Sequence, residues 1–300
     1  MTLQEKDLRL LCRKATSAAL AAGQYIQSRF AKYNTKTHKE GGNSLASRIV
    51  TDIDVRAQEI IFRSLHNTIQ SYGLGLLAEE GADDQSRVEK SYFWCIDPMD
   101  GTLPFTEGRT GYAVSIALIT NSGDPVIGVV YVPDLELCYT SIKGWGVWLN
   151  DEPFARANTI ANDTIHVYMD RSFQSEDYFQ IITNHLNEWA THLKARIHYH
   201  SGFGAVRNAL GVMNSGAGCY FKFPKKLKGG GSIWDYAATR LFFEELGLHV
   251  SDSRGKRLHL NNPETTFMHD VGILYTTHGD LADCIITLGQ KLEFRRCPDR

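Results

Sequence analysis

The stretch that decides the reading is Tyr92-Phe93-Trp94-Cys95-Ile96-Asp97-Pro98-Met99-Asp100-Gly101-Thr102. Its first five residues form an aromatic and apolar run ending abruptly at Asp-Pro, the pattern of a buried strand. The strand delivers two carboxylates, three residues apart, into a loop that opens on Gly-Thr. Pro98 fixes the backbone between them, so both side chains and the intervening carbonyl can converge on one point. Oxygen donors without a thiolate suit a hard cation such as Mg²⁺. Gly101 and Thr102 can then offer backbone N–H groups and a hydroxyl to a phosphate at a helix start. A plain Asp-Pro and Asp-Gly turn accounts for this one string equally well.

Three further acidic positions decide between those readings. Upstream, the apolar run Leu74-Gly75-Leu76-Leu77-Ala78 ends on Glu79-Glu80. Asp52 and Asp54 sit in Val50-Thr51-Asp52-Ile53-Asp54, before a helix expected to begin near Asp54 and to carry Ile60, Ile61 and Leu65 inward. Downstream, Asp235 follows Ile233-Trp234 and opens a helix expected over Tyr236 to Leu246. Singly, Glu79-Glu80 reads as a solvated charge pair, and Asp54 and Asp235 as helix N-caps. Together with the Asp97 loop they form an ordered set of acids at element ends, as a metal cage requires.

The rest of the chain bounds what such a cage can serve. It has 300 residues, 43% hydrophobic and 22% charged, with a net charge of −2. That length buries a real core in one large domain or two closely packed ones, with halves expected at 1–155 and 156–300. The balance of charge argues against a surface built for nucleic acid polymer or acidic lipid, while a local site can still hold a small anion. Met1 to Lys14 alternates charge and leucine with no uninterrupted apolar core, so no secretory signal is expected. No stretch approaches the roughly 20 apolar residues of a spanning helix. The 6 cysteines (Cys12, Cys95, Cys138, Cys219, Cys284 and Cys297) form no C-x-x-C pair. They read as reduced thiols of a cytoplasmic protein.

Leu8, Leu11, Cys12, Ala15, Ala18, Ala19, Ala22 and Ile26 recur at helical spacing, and polar, glycine-bearing Lys36 to Ser47 reads as a mobile loop. Strands are expected at Tyr112 to Thr120, Pro125 to Val132 and Glu136 to Ile142, followed by a turn at Lys143-Gly144-Trp145-Gly146. The second half alternates: strand Thr164 to Met169, helix Asp177 to Leu193, strand Arg196 to His200, helix Gly204 to Met213 and strand Gly218 to Phe223. Strands are also expected near His249 and Val271. The pattern is that of an α+β layered sandwich. His198-Tyr199-His200 has no acidic neighbour and reads as surface or packing histidine. Gly229-Gly230-Gly231, after Lys225-Lys226-Leu227-Lys228, is no P-loop. It reads either as a solvated loop or as a basic flap beside Asp235.

On these motifs the sequence resembles the inositol monophosphatase family of lithium-sensitive, magnesium-dependent phosphatases. The first signature is Asp97-Pro98-Met99-Asp100-Gly101-Thr102 with Phe105, and the second is Trp234-Asp235-Tyr236-Ala237-Ala238. The likeness covers nearly the whole chain. It implies a five-layered αβαβα sandwich, usually a homodimer, and two or three Mg²⁺ per site. Glu79, Asp97 and the Met99 carbonyl would hold one ion, and Asp97, Asp100 and Asp235 a second. Thr102 and Asp54 would polarise the attacking water, with Glu79 helping to hold that water and a third ion. The phosphate would rest on the Gly101 and Thr102 amides, and the Ser201-Gly202 region would touch substrate.

The substrate implied is a small phosphorylated metabolite. Inositol monophosphatases usually place an acidic residue on the strand before the Trp-Asp signature; this sequence offers Lys222, with Lys225, Lys226 and Lys228 close behind. A doubly phosphorylated substrate gains most from such cations. That resembles the bacterial 3′(2′),5′-bisphosphate nucleotidases, as does the strand Gly111 to Leu118. Leu103, where those enzymes commonly carry lysine, counts toward the alternative, an inositol monophosphatase. A non-catalytic sugar-phosphate or nucleotide sensor is the reading from another class; against it, every acidic position is filled and Thr102 is present.

Overall fold

The computed structural model describes residues 2–37, 43–156, 163–226 and 228–296. Two long helices, α1 (Glu5–Thr37) and α2 (Asn43–Tyr72), open the chain. The expected apolar stripe of α1 is there: Leu11, Ala15, Ala18, Ala19, Ala22 and Ile26 are buried. The expected loop over Lys36 to Ser47 is wrong at both ends, because helix covers Lys36–Thr37 and resumes at Asn43; Gly41 and Gly42 lie outside the described residues. Nor does α2 begin near Asp54. Leu45, Ile49 and Ile53 continue backward the four-residue spacing of the buried Ala57, Ile61 and Leu65, and that spacing outweighs the polar residues between them. Asp54 therefore lies inside a helix and caps nothing.

The first sheet takes its strands in chain order: β1 (Gly75–Ala78), β2 (Tyr92–Asp100), β3 (Ala113–Thr120), β4 (Pro125–Val132), β5 (Leu137–Ile142), β6 (Val147–Leu149) and β7 (Glu152–Pro153). Two short helices, α3 (Ser86–Glu89) and α4 (Thr102–Thr106), flank β2. Only β1 and β2 pair in parallel; from β2 onward the sheet is an antiparallel meander.

The second sheet combines β8 (Thr164–Met169), β9 (Arg196–Ser201), β10 (Gly218–Lys222), β11 (His249–Ser251) and β12 (Ile273–Thr276) in the order β11-β12-β10-β8-β9. Its helices are α5 (Phe179–His192), α6 (Ala205–Asn214), α7 (Ile233–Glu245) and α8 (Gly279–Arg296). α8 has no counterpart among the sequence-based expectations.

Packing stacks these pieces in five layers. α1 and α2 cover the first sheet, α7 lies on its other face, α6 bridges to β8 and β10, and α5 and α8 close the far side of the second sheet. Each of three apolar clusters fills part of the stack: Leu11, Ile61 and Trp94 under the first helices, Phe93, Met213 and Phe242 between the sheets, and Ile182, Phe221 and Ile285 beneath α5 and α8. This is the αβαβα sandwich the resemblance implies.

One irregularity positions the site. The sequence suggests that the strand stops at Asp97-Pro98, but β2 runs on to Asp100. Asp97 pairs with Ser115 and Asp100 with Ala113, so β2 holds one residue more than its partner over this interval. Such a bulge tolerates Pro98, which has no N–H for the ladder. It also changes side-chain parity. Residues three apart on a regular strand face opposite sides, and the extra residue turns Asp97 and Asp100 toward the same one.

Candidate active site

Four element ends meet at this bulge. Parallel pairing sets Ala78 opposite Ile96, and the Glu79 N–H donates to the Ile96 carbonyl at 3.1 Å, so Glu79 emerges beside Asp97. From the other face comes α7. Ser115, the cross-strand partner of Asp97, donates its hydroxyl to the Trp234 carbonyl at 3.3 Å. Asp235 is thereby brought to the cage, and a carboxylate oxygen from each of Asp97, Asp100 and Asp235 falls within 4.8 Å of the others. Asp235 is not the N-cap of its helix. Ser232 caps α7, and Asp235 is the reciprocal acid of a capping box, accepting the Ser232 N–H at 2.6 Å.

Asp100 is held from the fourth direction, by α6. Its two oxygens accept the Ala205 and Val206 N–H groups at 2.9 and 2.8 Å, the first free amides of that helix. The approach is close enough to require glycine at 204, where any side chain would collide with the Asp100 carboxylate. Inside the loop, the Met99 N–H donates to Asp97 Oδ1 at 3.0 Å, and the Thr102 hydroxyl reaches the Met99 carbonyl at 3.4 Å.

The electrostatics are those of crowded anions, with Lys222 the cation that lowers Asp235. Asp97 is 1% exposed and Asp54 3%. Burial pushes Asp54 up to about 9, with Glu79 and Glu80 adding repulsion. Glu79 is pushed up to about 7, first by desolvation and then by Asp235. Asp97 and Asp100 are driven well above the carboxylate range by burial and by each other's neighbours, and Asp235 is raised as well. Burial and mutual repulsion thus favour the neutral form of these carboxyl groups. Asp54 Oδ1 is buried with no hydrogen-bond partner at all. An all-oxygen donor set, strained by its own charge and with one oxygen orphaned, fits a hard divalent cation.

The floor of the site is fixed by aromatic packing. Phe105, Phe30 and Tyr112 form a triangle with ring centroids 5.2, 5.2 and 5.3 Å apart, tying α4 to α1 and β3. Gly101 caps α4 at φ +92°, a left-handed conformation, and a Cβ there would stand 2.7 Å from the Gly111 carbonyl. Thr102 is exposed at the first position of that short helix.

The expected substrate residues are distributed unevenly. Lys222, at the end of β10, is inside the site, and its ammonium lies 2.7 Å from Asp170 Oδ2. Burial works to lower its pKa, but Asp170 and Asp235 prevail and hold it charged, above the ordinary lysine value. Asp170 also accepts the Tyr220 hydroxyl at 2.9 Å. Sequence reading missed Asp170. No local signal marks it: only the parallel pairing of Tyr168 with Tyr220 places residue 170 level with residue 222. The flap is partly tied down: Lys225 pairs with Glu176 at 2.6 Å, and the Gly230 carbonyl accepts the Tyr236 hydroxyl at 2.8 Å. Lys226 and Lys228 are exposed, and Leu227 lies outside the described residues. Ser201 is exposed at the end of β9, and Gly202 backs onto the Arg109 guanidinium. Arg109 in turn shares Glu107 with Arg171, a cationic pair that also escaped the sequence reading.

The model of the inositol monophosphatase family matches residues 7–292. The chain belongs to that family. As a member of the inositol monophosphatase family it is a phosphatase, and its cage residues lie within the matched span. It is 28% identical over 257 residues to an inositol-1-monophosphatase of Mesorhizobium japonicum, covering 82% of this chain and 86% of that protein. It is 29% identical over 223 residues to the 3′(2′),5′-bisphosphate nucleotidase CysQ of Salmonella typhimurium, covering 73% and 82%. The fold superposes on an inositol monophosphatase from Anabaena (Nostoc) sp. with a TM-score of 0.67 at 23% identity, over 94% of this chain and 96% of that one. Family members act on small phosphorylated substrates, and the near-equal identities to two such relatives leave the substrate open. No helix among the described residues is long and apolar enough to cross a membrane.

Proposed function

We propose that this phosphatase is magnesium-dependent and hydrolyses a small phosphate monoester by direct attack of water. One observation carries the reading: one carboxylate oxygen from each of Asp97, Asp100 and Asp235 lies within 4.8 Å of the others, while a buried Asp54 oxygen, in the field of Glu79, has no partner. Glu79, Asp97 and the Met99 carbonyl would hold one cation, and Asp97, Asp100 and Asp235 a second. Bound Mg²⁺ would supply Lewis-acid neutralisation of the phosphoryl oxygens and of the charge on the leaving oxygen. The remaining work falls to the chain. The Gly101 and Thr102 amides orient the phosphate, and the Thr102 hydroxyl positions the attacking water. Asp54 would polarise that water beside Thr102, acting as its base once a bound cation offsets the burial and repulsion that raise its carboxyl.

For the substrate, the reading is a 3′(2′),5′-bisphosphate nucleotide, supported by the cations Lys222, Lys226 and Lys228 around the second signature. An inositol phosphate is the second reading, and the Lys222–Asp170 pair favours it. A charge-balanced donor and acceptor side by side suits sugar hydroxyls better than a second phosphate. Phosphate release from adenosine 3′,5′-bisphosphate, inositol 1-phosphate and fructose 1,6-bisphosphate, each with Mg²⁺ and with chelator, tests both levels. Faster release from the nucleotide is expected. Preference for inositol 1-phosphate overturns the nucleotide reading alone, and no Mg²⁺-dependent release from any substrate leaves a binding role.

A further inference from the structure

Outside the cage, the edge of the second sheet carries another set of ligating side chains. Parallel pairing of β8 with β9 sets His166 opposite His198 and Tyr168 opposite His200. Side chains alternate along a strand, so these four residues leave one face of the sheet, while buried Ile165, Val167 and Met169 leave the other. The alternation seen in His198-Tyr199-His200 is thus completed by a histidine 32 residues earlier, which sequence reading had no means of placing there.

One ring nitrogen from each of His166, His198 and His200 lies within 4.8 Å of the other two. His166 Nδ1 stands 2.8 Å from His200 Nε2, so one of the pair donates and the other must present a lone pair. The ring centroids of His198 and His200 are 4.4 Å apart, and Tyr168 stacks on His200 at the same separation. Three positive rings cannot share that space. Burial first, then His198 and His166, brings His200 down to about 4, and His166 is lowered by burial and by His198. Lowered in this way, His166 and His200 stand as neutral imidazoles near neutral pH, the form that binds metal.

We propose that His166, His198 and His200 form a site for a divalent transition cation of the Zn²⁺ class, distinct from the carboxylate cage. Two histidines alternating on one strand and a third from its neighbour make a three-imidazole set, which with an open fourth position is an established Zn²⁺ arrangement. Imidazole selects Zn²⁺, Ni²⁺ or Cu²⁺ over Mg²⁺. The rings now stack nearly parallel, at 6° between His198 and His200, and must turn about their side-chain torsions to aim at one point. Exposed His198 has room to do so and leaves the fourth position to solvent. Bound there, the cation ties the edge strand β9 to β8. The chain leaves β9 through Ser201 and Gly202 into α6, the helix whose first amides hold Asp100.

Zn²⁺ also binds carboxylates, so the test uses the full-length chain in an Asp97→Asn background with excess Mg²⁺, and competes Zn²⁺ against a chromophoric chelator. One tightly held equivalent is expected. His198→Ala, at an exposed position, should weaken it by at least about tenfold, because loss of even an outer partner of a metal-ligating histidine costs about 10- to 100-fold. In the same Asp97→Asn chain with excess Mg²⁺, Zn²⁺ should raise the melting temperature and His198→Ala should abolish that rise; in the otherwise native chain, His198→Ala should leave Mg²⁺-dependent phosphatase activity unchanged. The same Zn²⁺ affinity with and without His198, or no bound equivalent in the Asp97→Asn chain, overturns the proposal and leaves three packing histidines. His200→Gln, with melting followed by circular dichroism to confirm folding, supplies the second variant and should lose the site too.

Discussion

Helix α7 carries two charges, buried Arg240 and half-buried Asp235, that the protein treats in opposite ways. Arg240, 1% exposed, is fully answered: Nε donates to Glu244 at 2.8 Å, Nη1 to the Gly123 and Leu258 carbonyls at 2.8 and 2.5 Å, and Nη2 to Asp124 at 3.0 Å. Arg87 is answered likewise, by Asp83, Asn261 and the Asn262 carbonyl at 2.7 to 2.8 Å. Less than two turns before Arg240, Asp235 joins Asp97 and Asp100 and raises both, with Lys222 only partly offsetting the crowding, and a buried Asp54 oxygen near Glu79 bonds to nothing. Buried charge whose partners are all present staples structure. Carboxylates that raise one another when crowded mark a candidate ligand site.

The contrast breaks first at the cage. Asp97→Asn or Asp235→Asn should lower kcat/KM about 10³-fold or more, since each withdraws several kcal/mol of transition-state stabilisation. The metal-free protein should melt at about the same temperature, because a neutral amide replaces a carboxyl group that the crowded site already favours in its neutral form. Steady-state kinetics beside calorimetric melting checks both halves. A variant that loses stability and activity together would put the carboxylate in the class of Arg240.

Arg240→Ala should do the reverse. Removing it strands Asp124, whose carboxyl Arg240 and Arg257 hold below its usual range, and breaking such a buried pair costs about 3 to 5 kcal/mol. Denaturant unfolding measures the loss, and turnover per folded molecule should be unchanged. A loss below about 1 kcal/mol would mean that the arginine is a solvated charge.

A pH series sharpens the comparison further. Asp54 and Glu79 have folded-state values of about 9 and about 7, above their ordinary 3.8 and 4.5. Groups raised on folding leave stability intact below their ordinary values and remove it as pH climbs through the folded ones. Metal-free protein should therefore melt at progressively lower temperature from about pH 5 to about pH 9, and saturating Mg²⁺ should flatten that slope. A slope that persists with Mg²⁺ present points to groups outside the cage.

The smallest effect concerns substrate choice. Lys228 is exposed, so Lys228→Ala should slow hydrolysis of adenosine 3′,5′-bisphosphate by no more than about fivefold, the range of exposed ion pairs, and should spare adenosine 2′-monophosphate. Lys222→Ala should cost the bisphosphate about 10- to 100-fold if a charge-assisted contact is lost. Equal losses on singly and doubly phosphorylated substrates assign Lys222 to its pair with Asp170.

Most of the sandwich was legible because its signals are local. β4 and β8 fall on their expected bounds, where β-branched residues alternate or run between turn residues. The acids that converge, Asp97, Asp100 and Asp235, were legible too, as carboxylates at element ends. What could not be read depended on residues far apart in the chain. The Asp97–Asp100 bulge needs the register of β3, the hold of α6 on Asp100 spans 105 positions, and Asp170 meets Lys222 only through strand pairing. Asp54 was misplaced for a different reason: polar residues near a helix start hid an apolar spacing that runs through them.

The central claim is that the crowded carboxylates hold protons in place of a divalent cation. Calorimetric titration of Mg²⁺ into metal-free protein at pH 7, repeated in buffers of different ionisation enthalpy, tests it most directly. The account predicts saturable binding accompanied by net proton release, both lost in Asp97→Asn. Binding without proton release, or binding that survives Asp97→Asn unchanged, would contradict it.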